Sequence, residues 1–128
     1  MRTLPLVCLA AAGLVGVVAV PARADLSNAD RSFIEQAASS GTAAVQTAQL
    51  AQQRASSSQV KQFANRIIAD HTQANVELLQ IAQDQNMTLP EQPSAKDASS
   101  YRRLVGQNGT AFDQAYAQAE VKIGRAHV

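Results

Sequence analysis

Val60, Ala64, Ile67, His71, Ala74, Leu78 and Ile81 follow one another at alternating steps of four and three. That spacing keeps them on one stripe of an α-helix, which turns once every 3.6 residues. All are apolar except His71, so the stripe aims the helix's one imidazole at the predicted core. The helix is predicted over 57–86. Phe33, Ala37, Gly41, Ala44, Ala48, Ala51 and Ala55 repeat the same steps and predict a helix over 29–55. Ile34, Val45 and Leu50 flank this line or lie off it. Its small side chains let a partner helix approach closely, and Ser39-Ser40-Gly41 is the weak point at which it would bend. Ser27 or Asn28 can cap it, with Asp30 and Glu35 favoured near its positive N-terminal end.

Ser56-Ser57-Ser58 separates the two stripes, and Ser56 with Gln59 has the spacing of a capping box. So short a connection makes two long amphipathic helices antiparallel neighbours. Pro90 and Pro93 mark a loop over 87–94. Ser94 and Asp97 again have capping-box spacing and open a short helix over 95–105, with Tyr101, Leu104 and Val105 on its apolar face. Gly106-Gln107-Asn108-Gly109 breaks it. Thr110 and Asp113 then cap a helix over 111–122 that carries Phe112, Ala115, Tyr116, Ala119 and Val121. No segment alternates apolar and polar residues, so no strand is predicted. The expected fold is all-α: a long antiparallel hairpin plus a third helix, an incomplete four-helix bundle with an apolar groove left open. Such a chain is expected to be marginally stable.

The termini read differently from the centre. Arg2, the apolar run Leu4 to Val20 and the small-x-small pattern Ala22-Arg23-Ala24 predict a signal peptide over 1–24, cleaved after Ala24. Cys8 lies inside the apolar run with Val7 before it, which excludes lipidation. Ile123-Gly124-Arg125-Ala126-His127-Val128 reads as a translated sequencing adapter, so 123–128 is expected to be a non-native tail on a truncated chain.

Without Arg2 and Arg23 the formal net charge of +1 becomes −1. Such a chain has no electrostatic case for nucleic acid or an anionic membrane, and Arg102-Arg103 alone makes no phosphate track. With Cys8 removed, disulfides, zinc–thiolate sites and thiol nucleophiles are excluded. No serine sits in Gly-x-Ser-x-Gly, and Gly106-x-x-Gly109 lacks the lysine and the strand of a phosphate loop.

Several segments carry a resemblance. They include Phe33 with Ala37-Ala38 and Gly41, Val60-Lys61-x-Phe63-Ala64, and Ile67-Ile68-x-Asp70-His71-Thr72-x-Ala74-Asn75. Val45, Leu50-Ala51, Ala55, Leu78, Ala82, Leu89-Pro90, Leu104, Gly106 and Phe112-Asp113-x-x-Tyr116 complete the set. The mature chain up to Lys122 resembles the ferritin-like family of unknown function 4142, whose members are often labelled outer-membrane proteins. The resemblance implies an exported four-helix bundle and no established reaction. Its motif residues here are Asp70, His71, Thr72, Asn75, Phe112, Asp113 and Tyr116. The chain departs from the family pattern at Ala44, where a glutamate is usual, and at Gly124, where a histidine is.

A di-iron bundle uses Glu-x-x-His pairs, and none is present; the glutamates are Glu35, Glu77, Glu91 and Glu120. His71 is therefore a single candidate metal ligand without visible companions, and no cofactor is predicted. As a structural residue it would hydrogen-bond Tyr116 or Asp113 on a facing helix. Asp70 points elsewhere, solvated or paired with Arg66. Phe112 and Tyr116, one turn apart, are core contacts. No catalytic residue is predicted. The favoured expectation is a non-enzymatic periplasmic or outer-membrane-associated bundle acting through interaction or stress protection. The alternative is a metal-binding ferritin-like protein with ligands partly in a missing C-terminal segment. The partner is unknown, with an envelope component or self-association both open, and no membrane span is expected after cleavage.

Overall fold

A computed structural model of the chain describes residues 24–126. Residues 1–23, nearly all of the expected signal peptide, lie outside the described residues, as do His127 and Val128. The first helix, α1, spans Asn28–Arg54 and the second, α2, Ser58–Asp84; α3 spans Ala98–Leu104 and α4 Gly109–Ala126. The described residues contain no strand.

Ser27 starts α1 with a capping box. The Asp30 amide donates to Ser27 Oγ at 3.1 Å, and the Ser27 amide and hydroxyl donate to Asp30 Oδ2 at 3.1 and 2.6 Å. Those bonds, the hydroxyl's first and then the amide's, hold the Asp30 carboxyl below its ordinary value. α1 continues unbroken through Ser39-Ser40-Gly41. Ser40 and Thr42 turn their hydroxyls back to the carbonyls of Gln36 and Ala38, at 2.6 and 3.0 Å.

Extended backbone at Ala55 ends α1, and Ser57 caps α2, accepting from the Val60 amide. The cap lies one residue beyond the Ser56–Gln59 spacing because Ser56 is held by α4. α2 ends in a Schellman motif. Asn86 takes the left-handed conformation (φ 52°), its amide donates to Gln83 O at 3.2 Å, and the Met87 amide donates to Ala82 O at 2.8 Å.

α1 is the central element. Ile34, Ala38, Ser39, Gly41, Ala43, Thr47, Ala48, Leu50 and Ala51 are all buried, whereas only Ala64 and Ala82 are buried on α2. The antiparallel register is set by Gln52 Nε2, which donates to Lys61 O at 2.6 Å, and by the meeting of Gly41 with Asn75. Ala44 is thereby level with His71, and Ala37 with Leu78. Ser39, two positions from Gly41, points to the opposite side of α1. There its hydroxyl donates to Asp97 Oδ2 at 2.5 Å and accepts from the Ser94 amide at 2.8 Å, fastening the start of α3.

The core fills the half of the hairpin nearest the α1–α2 turn. Ala48, Leu50, Ala51, Ala55, Ala64, Leu104, Phe112 and Tyr116 form it, with Val60, Ile67, Ile68, Tyr101 and Ala115 packed around them. The far half of the hairpin has no such cover. Phe33, at the head of the α1 stripe, is 69% exposed, while Ile34 and Leu50, off that stripe, are buried. The reason is positional: α1 is enclosed from several directions near the turn and near Ser39, but nothing packs over Phe33.

Candidate functional site

The motif residues fall into two separate groups. Asp113 and Tyr116, on α4, serve the turn half of the hairpin. Asp113 reaches across to the α1–α2 turn. One of its oxygens accepts from the Ser56 amide at 3.1 Å, and the other accepts from the Ser56 hydroxyl at 2.6 Å and the Ser57 amide at 2.9 Å. The short turn leaves these amides without helical partners, and a carboxylate satisfies both at once. Asp113 thus holds a turn between two other helices rather than capping its own helix or meeting His71.

Tyr116 is 1% exposed. Phe112 stacks on it with centroids 5.8 Å apart, and Phe63 of α2 meets it edge-on at 6.2 Å. Its hydroxyl is buried without a hydrogen-bond partner among the described residues. Burial pushes the Tyr116 phenol up, and the carboxylate of Glu120, one turn on, adds to the rise. Burial also raises the Glu120 carboxyl.

The second group lies on α2. His71 is half-buried, and among the described residues nothing hydrogen-bonds its imidazole. Neither Tyr116 nor Asp113 reaches it. Asp70 is exposed and forms no ion pair with Arg66. Asn75 turns its carboxamide against α1, where Gly41 leaves room, and Asn75 Oδ1 is buried without a partner. Thr72 is exposed and, with Thr42, Val45, Gln46, Asn75, Val76 and Leu79, lines an open groove of about 310 Å³ between α1 and α2. Gly124, near the end of α4, is exposed, and a Cβ there would meet open space. Ala24, the expected cleavage residue, is exposed ahead of α1.

Among the described residues no three His, Cys, Asp or Glu side chains stand where they could share a metal ion, and no helix is long and apolar enough to cross a membrane. The joint that sequence reasoning missed is Ser39. Spacing marks Ser94 and Asp97, whose Ser94 Oγ accepts from the Asp97 amide at 3.1 Å and donates to Asp97 Oδ2 at 2.7 Å. Nothing local marks Ser39, 58 positions before Asp97, as their third member.

Two long helices whose turn is held by Asp113 from α4 define an all-α, bundle-like protein. The chain belongs to the family described as Domain of unknown function (DUF4142), which matches residues 16–128. No curated protein and no solved structure matches it.

Proposed function

We propose that this is an exported helical-bundle protein of the cell envelope, periplasmic or outer-membrane-associated, that acts by interaction rather than by catalysis. The carrying observation is how its polar side chains are used. Asp113 holds Ser56 and Ser57, Ser39 holds Asp97 and Ser94, and Asn75 lies against Gly41. These groups are committed to joints between helices, while the far half of the hairpin keeps an apolar strip uncovered. Arg2, the apolar run to Val20 and Ala22-Arg23-Ala24 support export. The two long antiparallel helices fit half of a ferritin-like four-helix bundle.

The test is expression of the untagged full chain in a bacterial host, followed by fractionation, mass analysis of the mature N-terminus and metal analysis. Recovery from the envelope fraction with Asp25 as first residue and no stoichiometric metal is expected. Retention in the cytoplasm with Met1 intact would overturn export. Stoichiometric iron, manganese or zinc that is lost on His71→Ala would overturn the interaction reading in favour of a metal-binding one.

A further inference from the structure

The break before α4 ends in Asn108-Gly109, and of the chain's five asparagines only Asn108 precedes a glycine. Gly109 has φ 59°, the left-handed conformation that glycine adopts without strain. The backbone therefore favours a glycine here, and the same missing side chain leaves the Gly109 nitrogen unshielded. A Cβ at this position would meet nothing within 4 Å. α4 begins at Gly109, so this nitrogen has no helical acceptor behind it, and its N–H donates to nothing among the described residues. Asn108 is exposed, and Arg54, in the last turn of α1, donates from Nη1 to its Oδ1 at 3.0 Å. A guanidinium only donates, so this bond fixes which end of the carboxamide is the oxygen. The amide nitrogen, Nδ2, has no hydrogen-bond partner among the described residues.

We propose that Asn108-Gly109 is a self-modifying site, at which Asn108 loses ammonia in the folded protein and becomes aspartate or isoaspartate. The Gly109 nitrogen gives its proton to solvent base and attacks Asn108 Cγ. The new N–Cγ bond closes a five-membered imide ring, the Cγ–Nδ2 bond breaks, and ammonia leaves with a proton from water. Water then opens the ring. Addition at Cγ gives aspartate, and addition at the main-chain carbonyl gives isoaspartate, with the chain routed through Cβ and Cγ. The net change is one water in and one ammonia out, with nothing oxidised or reduced. Arg54 holds the carboxamide oxygen and stabilises the negative charge that this oxygen takes on as the nitrogen adds. Either product places a new carboxylate beside Arg54. Aspartate makes the existing bond charge-assisted. Isoaspartate takes off the main chain the carbonyl that accepts from the Phe112 amide at 3.3 Å, and so loosens the start of the helix that carries Asp113 and Tyr116. The inference is independent of the interaction reading.

The experiment incubates the purified, folded protein in water labelled with heavy oxygen, at neutral and at mildly alkaline pH, and follows each asparagine by peptide mapping. Asn108 should take up label at least about tenfold faster than Asn28, Asn65 or Asn86. The rate should rise at alkaline pH, and isoaspartate should appear among the products. Arg54→Met, which keeps the side chain's apolar stem but not its donors, should slow the reaction several-fold, with thermal unfolding confirming that the variant is folded. Amide exchange at Phe112, Ser56 and Ser57 should be faster in the isoaspartyl form than in Asn108→Asp. A rate at Asn108 no greater than that at the exposed Asn65, or reaction only after urea has unfolded the chain, would overturn the inference. Aspartate formed without isoaspartate would overturn the ring route, and an Arg54→Met chain that reacts as fast as wild type would overturn the role given to Arg54.

Discussion

Gly41 of α1 and Asn75 of α2 meet so closely that a Cβ on Gly41 would overlap the Asn75 carboxamide, with Asn75 Cγ 3.2 Å and Nδ2 3.4 Å from it. The hairpin is at its tightest where one helix lacks a side chain and the other offers a short polar one. Asn75 Oδ1 has no hydrogen-bond partner in this contact. The pair therefore fixes register by shape rather than by bonding.

Gly41→Ala should consequently destabilise the protein by about 1–3 kcal/mol, the usual result of overpacking. In an Asn75→Ala background the same change should stabilise it by roughly 1 kcal/mol, because alanine is the better helix former once the clash is gone. Urea unfolding of the four chains of this double-mutant cycle checks it. A Gly41→Ala effect of the same sign in both backgrounds would show that the contact does not set the packing.

Asp113 is expected to be the most costly single polar deletion. Asp113→Ala removes three hydrogen bonds from the turn and leaves the Ser56 and Ser57 amides unpaired. At the usual net value of about 0.5–1.5 kcal/mol per bond, a loss of about 2–4 kcal/mol follows. Hydrogen exchange should speed up at Ser56, Ser57 and along α4. Asp113→Asn should fall between the two, since it keeps the shape but loses charge and acceptor capacity.

Tyr116→Phe should be neutral or stabilise by up to about 1 kcal/mol, because it removes a buried hydroxyl that has no partner. Tyr116→Ala should cost about 3–5 kcal/mol, the range for emptying an aromatic site in a core. Thermal unfolding of both variants separates the ring's contribution from that of the hydroxyl.

Glu120 sets a pH dependence. Its carboxyl is raised by burial in the folded state, so folding favours the protonated form. The favourable contribution is fully present below the ordinary value of 4.5 and is lost as pH rises through the higher folded-state value. Glu120→Gln should therefore raise stability near neutral pH and flatten the stability profile on the acid side. Asp30 works in the opposite sense: its carboxyl is lowered, so its contribution is present above the unfolded value and lost as pH falls through the folded one. Unfolding between pH 3 and pH 8, in wild type and Glu120→Gln, checks the sign.

The hairpin and its short turn were legible because periodicity and capping residues are local signals. The two stripes and Ser56-Ser57-Ser58 suffice for an antiparallel pair. Ser94 with Asp97 was legible for the same reason. The site was less so. The Phe112-Asp113-x-x-Tyr116 spacing marks core aromatics, but nothing in it says that Asp113 will reach a turn 56 positions earlier at Ser57. His71 lies on the right stripe and is half-buried, yet a stripe does not say which polar groups will face it, and among the described residues none hydrogen-bonds it.

The sequence alone determined which segments are helical, which two pair and which face of each is apolar. Steric propensity, capping and the period of the α-helix act over a few residues. Tertiary structure decided how those faces are filled. α1, lined with small residues, is enclosed on several sides, so Ile34, Ser39 and Leu50 are buried while Phe33 is not. α4 covers only the turn half of the hairpin, so the stripe that is fully buried at Ala64 is half-buried at His71 and Leu78 and exposed at Ile81. Burial is a property of neighbours distant in the chain, and a helical period specifies a direction without specifying what lies there.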